Sequence, residues 1–327
     1  MASTDTDRLS AEYETLRSSC GLHDRSERGK LALTGPGAVE FLNGQVTNEL
    51  LTLRPGEGTY AAFLTHKGKM LGDLRILAVG AEGADAPDEL LLDTERVTLQ
   101  ALFDMIRRFK VGYEVELHKR TLECGLISLI GPGATSVAHA EGLSDTEHAH
   151  AELSLEGITA RAVRTDTGVD LLCEATDTEA LLAALRERGA QPVSEEAAEC
   201  LRVEHGRPRY GVDLDDTVIP QEAGLNERAV NFTKGCYVGQ ETVARLYYKG
   251  KPNRHLRGLL LSAPATGGEE LRLGERQVGR LGSTALSPRL GPIALALVRR
   301  EAEPGSILEL GDGPLTAKVL ELPFQAG

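Results

Sequence analysis

Long apolar stretches are missing from this sequence. No run approaches the roughly 20 residues that a membrane helix requires, and the segment from Pro292 to Val298 has only a strand's length. The first ten residues hold Asp5 and Asp7 and no apolar core, so a secretory leader is not expected. Cysteine is scarce and scattered. Cys20, Cys124, Cys173, Cys200 and Cys236 are odd in number and form no C-x-x-C pair. That argues against a disulfide framework and against a zinc or iron–sulfur site supplied by this chain alone. Basic charge is also short, with 36 Lys and Arg against 49 Asp and Glu and a net charge of -13. Such a chain repels nucleic acid and anionic membrane unless it gathers positive charge locally. The expectation is a soluble, cytoplasmic protein in a reducing compartment, with no nucleic-acid or membrane partner and no metal.

What is present suits a globular protein. The 327 residues, 41% apolar and 26% charged, allow roughly two domains of about 150 residues. One internal echo stands out. Leu31-Ala32-Leu33-Thr34-Gly35-Pro36-Gly37-Ala38 resembles Leu126-Ile127-Ser128-Leu129-Ile130-Gly131-Pro132-Gly133-Ala134. Each is an apolar run followed by a sharp strand-to-helix turn, which proline and glycine permit. Neither copy has the glycine spacing of a phosphate loop, so the echo reads as a structural turn in two related α+β halves.

Residues 60–64 and 73–79 read as strands, 93–109 as a helix, and 178–188 as an amphipathic helix closed by Gly189. Ser194 is placed to cap a helix running to about His205. Residues 134–156 are acidic, and His148 and His150 within them read as solvated loop rather than metal ligands. From His255 onward short β-rich runs alternate with Gly/Pro turns, the pattern of a small antiparallel barrel or sandwich. A domain boundary is placed near Asn253.

The most informative stretch is Lys234-Gly235-Cys236-Tyr237-Val238-Gly239-Gln240-Glu241, which leads into a helical segment. A thiol near a helix N-terminus and beside Lys234 is favoured as thiolate; the alternative is a small buried apolar residue. From Lys234 to Arg257 six basic residues face one acid, Glu241, with Tyr237, Tyr247 and Tyr248 interleaved. A compact, flat anion such as a pterin with a glutamate tail suits that window. The alternative is a solvated basic face paired with Asp213, Asp215 and Asp216.

These residues carry a family resemblance. The eight-residue cysteine motif follows Arg202-Val203-Glu204-His205-Gly206, Gly211-Val212-Asp213 and Pro220-Gln221-Glu222. In that order the segments resemble the YgfZ family of folate-binding proteins. That family lies in the GcvT-like superfamily, whose founding member is the glycine-cleavage T-protein, an aminomethyltransferase. Phe41-Leu42-Asn43-Gly44-Gln45-Val46-Thr47-Asn48 and Gly68-Lys69-Met70-Leu71-Gly72-Asp73-Leu74 extend the likeness over nearly the whole chain.

The resemblance implies an α+β fold. Two related GcvT-like subdomains over 1–253 would form a folate channel, followed by a C-terminal antiparallel β-barrel over 254–327. It implies tetrahydrofolate or a one-carbon derivative as cofactor, and iron–sulfur client proteins or assembly factors as partners. Asp73 falls on the T-protein's catalytic carboxylate, with Gly72 in place of the preceding acid. Asp170 falls on its pterin-binding acid, although the Tyr-Thr-Gly-Glu core is absent around Asp166 and Ala197 stands at an arginine position. Cys236, Asp73 and Lys234 are thus the implied catalytic residues. Asp170, Arg202, Glu204, Tyr237, Gln240 and Arg245 are the implied cofactor contacts, with the folate tail toward Arg245, Lys249 and Arg254. Three readings follow: an accessory factor for iron–sulfur enzymes using Cys236, a folate-dependent aminomethyltransferase using Asp73, and a non-catalytic folate-binding scaffold.

Overall fold

The computed structural model describes residues 2–325. Helix α1 (Ala2–Ser18) and strand β1 (Gly21–Asp24) open the chain. One succession of elements then occurs twice. In its first passage β2 (Gly29–Thr34) turns into α2 (Ala38–Asn43). A meander of β3 (Gly58–Leu64), β4 (Met70–Val79) and β5 (Glu89–Thr94) follows, then α3 (Leu99–Phe109) and β6 (Glu116–Lys119). In its second passage β7 (Cys124–Ile130) turns into α4 (Ala134–Val137). The meander is β8 (His150–Leu155), β9 (Ile158–Arg164) and β10 (Gly168–Glu174), followed by α5 (Thr178–Glu187) and β11 (Gln191–Pro192).

The sheets have matching neighbour orders, β3-β4-β5-β2-β6 and β8-β9-β10-β7-β1-β11, except that β1 is inserted beside β7. The two Gly-Pro-Gly-Ala turns are therefore the equivalent corners of a duplicated α+β unit. Gly35 and Gly131 have φ of 101° and 118°. A Cβ at either would stand 2.4 Å from the Glu114 carbonyl oxygen or 2.6 Å from that of Ser19, so only glycine fits.

Two local expectations change. Residues 93 and 94 belong to β5, and the helix begins only at Leu99, because Glu89–Thr94 is paired on both sides by β2 and β4. Ladder pairing there outweighs helix propensity. Residues 134–156 hold α4 and β8, and His148 and His150 are buried, at 7% and 3% exposure. They are not solvated loop.

The two sheets pack face to face, and period-2 alternation decides what meets between them. On β4, Leu74, Ile76 and Ala78 join the first unit's helix-covered core, while Leu77 joins the inter-sheet layer. On β10, Val169, Leu171 and Cys173 join the second unit's core, and Leu172 the same inter-sheet layer. Ala32, Leu91, Leu126 and Val163 complete that apolar layer. The alternate positions at its other end are polar: Asp73 and Arg75 on β4, Asp93 on β5, Ser128 on β7 and Asp170 on β10.

Beyond the sheets, α6 (Glu195–Glu204), α7 (Asn226–Ala229) and α8 (Gln240–Lys249) lead to six strands. The Ser194 hydroxyl caps α6, accepting from the Ala197 N–H at 3.3 Å. The strands β12 (Arg254–Leu261), β13 (Glu270–Leu273), β14 (Arg276–Ser287), β15 (Gly291–Arg299), β16 (Ile307–Leu310) and β17 (Leu315–Leu320) are antiparallel. They close as β12-β15-β14-β13-β16-β17, which leaves no free edge. Among the described residues no helix is long and apolar enough to cross a membrane.

Glu204, 4% exposed at the end of α6, ties three parts together. Its carboxylate accepts from the Tyr13 hydroxyl on α1 at 2.9 and 3.0 Å, from Ser287 on β14, and from Arg289 Nη2 at 3.1 Å. Removing the carboxylate leaves the buried Tyr13 and Ser287 hydroxyls without their acceptor and takes the anion from the partly exposed Arg289. Glu204→Ala is therefore expected to lower the unfolding free energy by about 2 kcal/mol, read by urea denaturation. A loss below about 0.5 kcal/mol, the size of an ordinary surface substitution, would contradict this role.

Candidate functional site

A cleft of about 200 Å³ opens at the polar end of the inter-sheet layer. Asp73 lies on its wall, 6% exposed, and its Oδ2 accepts from the Tyr60 hydroxyl at 2.7 Å. Arg75, two residues on and therefore on the same face, stands across the ladder from Asp93. Its Nη2 lies 2.9 Å from Asp93 Oδ2, an ion-pair contact outside hydrogen-bond geometry, and its Nε has no hydrogen-bond partner. Arg75 Nη1 crosses to the other sheet and donates to Asp170 Oδ2 at 2.7 Å, while Ser128, across the ladder from Asp170, donates to Oδ1 at 2.6 Å. Arg28 Nε completes the group by donating to Asp93 Oδ1 at 2.7 Å.

Two of the carboxyls are driven apart. Burial pushes Asp73 up to about 6; the Tyr60 hydrogen bond opposes this and the nearby Glu95 adds to it. Burial acts on Asp93 too, but Arg28 and Arg75 more than offset it and hold the group below the usual carboxylate range. Seven arginines and six carboxylates line the cleft, a basic excess within a strongly acidic chain. Most are paired: Arg207 with Asp166 at 2.7 Å, Arg209 with Glu195 at 2.9 Å, and Arg228 with Glu147. Arg25 makes no side-chain hydrogen bond or ion pair among the described residues; at longer range it helps hold Glu195 ionised.

Of the residues singled out in the sequence, Asp73, Asp170 and Arg202 are brought together on this cleft. The Arg202 guanidinium is committed to Glu199, Asp213 and Ser283. Glu204 turns away from it, to Tyr13 and the barrel. Lys234, Cys236, Tyr237, Gln240 and Arg245 do not line it.

The Lys234 ammonium is 7% exposed and donates to the carbonyls of Asn43, Val46 and Asn48 at 2.7, 2.9 and 2.5 Å. It straps the Lys234–Glu241 motif to the 41–48 segment, and burial pushes its pKa down to about 8. Tyr237 is buried beneath it, its ring centroid 5.3 Å from Nζ. Gly239, at φ 84°, lies against the 65–68 turn, where a Cβ would meet the Thr65 carbonyl oxygen at 2.6 Å. Cys236 is exposed and lies four residues before α8. Arg245 is exposed as well, and Gln240 only reaches back to the Gly235 carbonyl at 3.5 Å. Arg254 pairs with Glu222 at 2.8 Å, and Tyr247 is stacked on Phe232 with centroids 3.7 Å apart. Most of the motif's distinctive residues thus serve packing.

Tyr60, Arg25, Arg207, Arg209, Arg228 and His148 were missed by sequence reasoning. The arginines come singly from distant segments, so no local charge window reveals them. Tyr60 alone had a signal: in the β3–β4 hairpin it lies diagonal to Asp73, two residues from Ala62, the partner of Asp73. Among the described residues no group of three or more His, Cys, Asp or Glu could hold a metal ion.

The raised Asp73 has a measurable consequence. Its folded pKa lies above the unfolded one, so the native state keeps a proton that the unfolded chain has released. Its contribution is full below about pH 4 and is lost as pH climbs through about 6. Relative to Asp73→Asn, the wild type is expected to lose up to about 3 kcal/mol of stability across that window, measured by denaturation at stepped pH. A flat difference would show that Asp73 is ordinarily solvated.

Comparison with known proteins accords with this architecture. The GCVT N-terminal domain matches residues 2–234, and the glycine cleavage T-protein C-terminal barrel domain matches residues 254–325. An aminomethyltransferase of Thermotoga petrophila is 31% identical, with 97% of this chain and 89% of the relative aligned. One of Corynebacterium aurimucosum is 29% identical over 91% and 84%. The crystal structure of the glycine cleavage system aminomethyltransferase T from Bartonella henselae superposes with a TM-score of 0.84 at 24% identity, covering 97% of this chain and 90% of that one, which shows the shared fold. The chain belongs to the glycine-cleavage T-protein (GCVT) family.

Proposed function

We propose that the protein is a folate-dependent one-carbon transferase of the aminomethyltransferase type, with Asp73 facing the reacting nitrogen. The observation that carries this reading is the buried Asp73 carboxyl, held by Tyr60 in a cleft lined by arginines and pushed up to about 6 by burial. The curated relatives named aminomethyltransferase support it. The cleft also fits a flat, polar heterocycle with an acidic tail. The Nε atoms of Arg75 and Arg209 are buried without partners, and Arg25 is uncommitted. Bound tetrahydrofolate supplies the amine nitrogen that accepts the carbon unit.

Around that group each residue has a distinct task. Ionised Asp73 stabilises positive charge on the nitrogen and can take its proton, the work of a preorganised carboxylate. Tyr60 engages Oδ2, and Oδ1 has no hydrogen-bond partner among the described residues. Asp170 has two oxygens with about four lone-pair sites; Arg75 and Ser128 use one on each, and the remainder can accept from a pterin's amino and ring N–H groups. Arg25 is placed for the tail carboxylates, and Arg202 braces the wall.

A second reading, a YgfZ-type accessory role toward iron–sulfur proteins, is favoured by one observation: Cys236 of the family-like motif is solvent-exposed. In that reading the thiol acts at the surface and away from the cleft.

Substitution separates the two. With tetrahydrofolate and a lipoyl-linked or N-methyl amine donor, Asp73→Asn is expected to lower kcat at least about 100-fold, whereas Cys236→Ser stays within about twofold of the wild type. The wild-type rate falls on the acid side with a midpoint near pH 6, following the protonation of Asp73. Folate at a hundredfold excess over Kd adds about 2.7 kcal/mol of stability, visible as a raised Tm. No turnover with any such donor, together with loss of iron–sulfur enzyme activity in cells carrying Cys236→Ser, would replace the first reading by the second.

A further inference from the structure

His148 stands where the cleft meets a side opening of about 360 Å³, and it lines both together with Tyr60, Glu147, Arg207 and Arg228. Its residue is 7% exposed, and neither Nδ1 nor Nε2 has a hydrogen-bond partner. The nearest acid, Glu147, has Oε1 3.7 Å from Nε2, beyond hydrogen-bond reach, and is held by Arg228. Burial pushes the imidazole down to about 4, with Arg75 adding to the shift. The ring is therefore neutral, with one N–H donor and one lone-pair acceptor.

Nothing about its placement is loose. The backbone has φ of 70°, uncommon for a residue with a side chain, and the His148 N–H donates to the Arg164 carbonyl at 2.9 Å. β3 makes room for it with Gly58, where a Cβ would meet His148 Cβ at 2.9 Å and its carbonyl oxygen at 2.7 Å. A fixed, buried polar ring without partners costs the folded protein stability, and a cleft ligand with polar edges removes that cost.

We propose that His148 is a ligand-recognition residue of the cleft, hydrogen-bonding as a neutral imidazole to an amide-like N–H or C=O edge of the heterocycle. This rests on the folate reading above and names a residue that determines which heterocycle fits.

The test is calorimetric binding of 5-formyltetrahydrofolate, a stable folate, to wild type, His148→Phe and His148→Gln, with the Tm of each ligand-free protein. His148→Phe keeps a planar ring but no nitrogen. It is expected to weaken binding about tenfold, equivalent to about 1.4 kcal/mol, without lowering the ligand-free Tm, because an unpaired buried polar group has been removed. His148→Gln, which keeps a donor and an acceptor, is expected to recover most of the affinity. A purely structural residue would instead lower the Tm. The inference is overturned if His148→Phe binds within threefold of wild type, or if His148→Gln binds no better than His148→Phe. If the wild type itself does not bind the folate, the reading of the cleft falls and takes this inference with it.

Discussion

The Arg75 guanidinium holds the two halves of the molecule in register. It reaches from β4 of one sheet to Asp170 on β10 of the other at 2.7 Å, while paired across its own ladder with Asp93. Charges this deeply buried are tolerated only when each has its partner. The polar end of the inter-sheet layer must therefore keep one spacing, and that spacing is what leaves a cleft instead of a closed core. The apolar end, with Leu77, Leu91 and Leu172, contributes adhesion; the polar end contributes geometry. Duplication supplies the facing surfaces, and the differences between the copies make the site. By strand register Leu91 of the first unit stands where Asp170 does in the second, and Ala32 where Ser128 does, so the Asp170–Ser128 pair belongs to one copy only.

A second constraint acts at the rear of the site. The Lys234 ammonium collects three carbonyls from the 43–48 segment, and Asn231 and Val238 add backbone hydrogen bonds to Thr47 and Gly44. Gly239 rests on the turn that precedes β4. Three segments distant in the sequence, 41–48, 65–74 and 231–239, are thereby one packed body behind Asp73. Their co-occurrence is what made the family legible, and its physical basis is contact among them more than shared contact with a ligand.

Much of the fold could be read from the chain because its signals are local. Gly-Pro-Gly turns, the Ser194 cap and the Gly-rich spacing of the C-terminal strands depend on neighbouring residues only, and each reappears in the structure. Asp73 and Asp170 were also legible, through motif resemblance. What could not be read depends on what a side chain faces. The basic window from Lys234 to Arg257 is conspicuous in sequence yet spends Lys234 on carbonyls, Arg254 on Glu222 and Arg257 on Glu321. The arginines that line the cleft are isolated in sequence and converge only through folding. His148 looked like loop because acidic neighbours surround it, whereas tertiary packing buries it.

The contrast between Asp73 and Asp93 shows how this arrangement turns equal residues into unequal ones. Both are buried carboxyls on adjacent strands of one sheet, facing the same cleft. Asp93 has Arg28 and Arg75 against it, so burial is outweighed and the group stays an anion. Asp73 has the Tyr60 hydroxyl, a neutral donor, and Glu95 nearby, so burial prevails and its proton is held until about pH 6. Environments that push paired carboxyls apart in this way mark which one exchanges protons and which supplies a fixed field. Arg75 contributes to the asymmetry: it spans Asp93 and Asp170, while Asp73, two residues away on the same face, forms no ion pair among the described residues and feels Arg28 and Arg228 only at longer range. The residue that holds the sheets together thus also helps leave Asp73 free to exchange its proton.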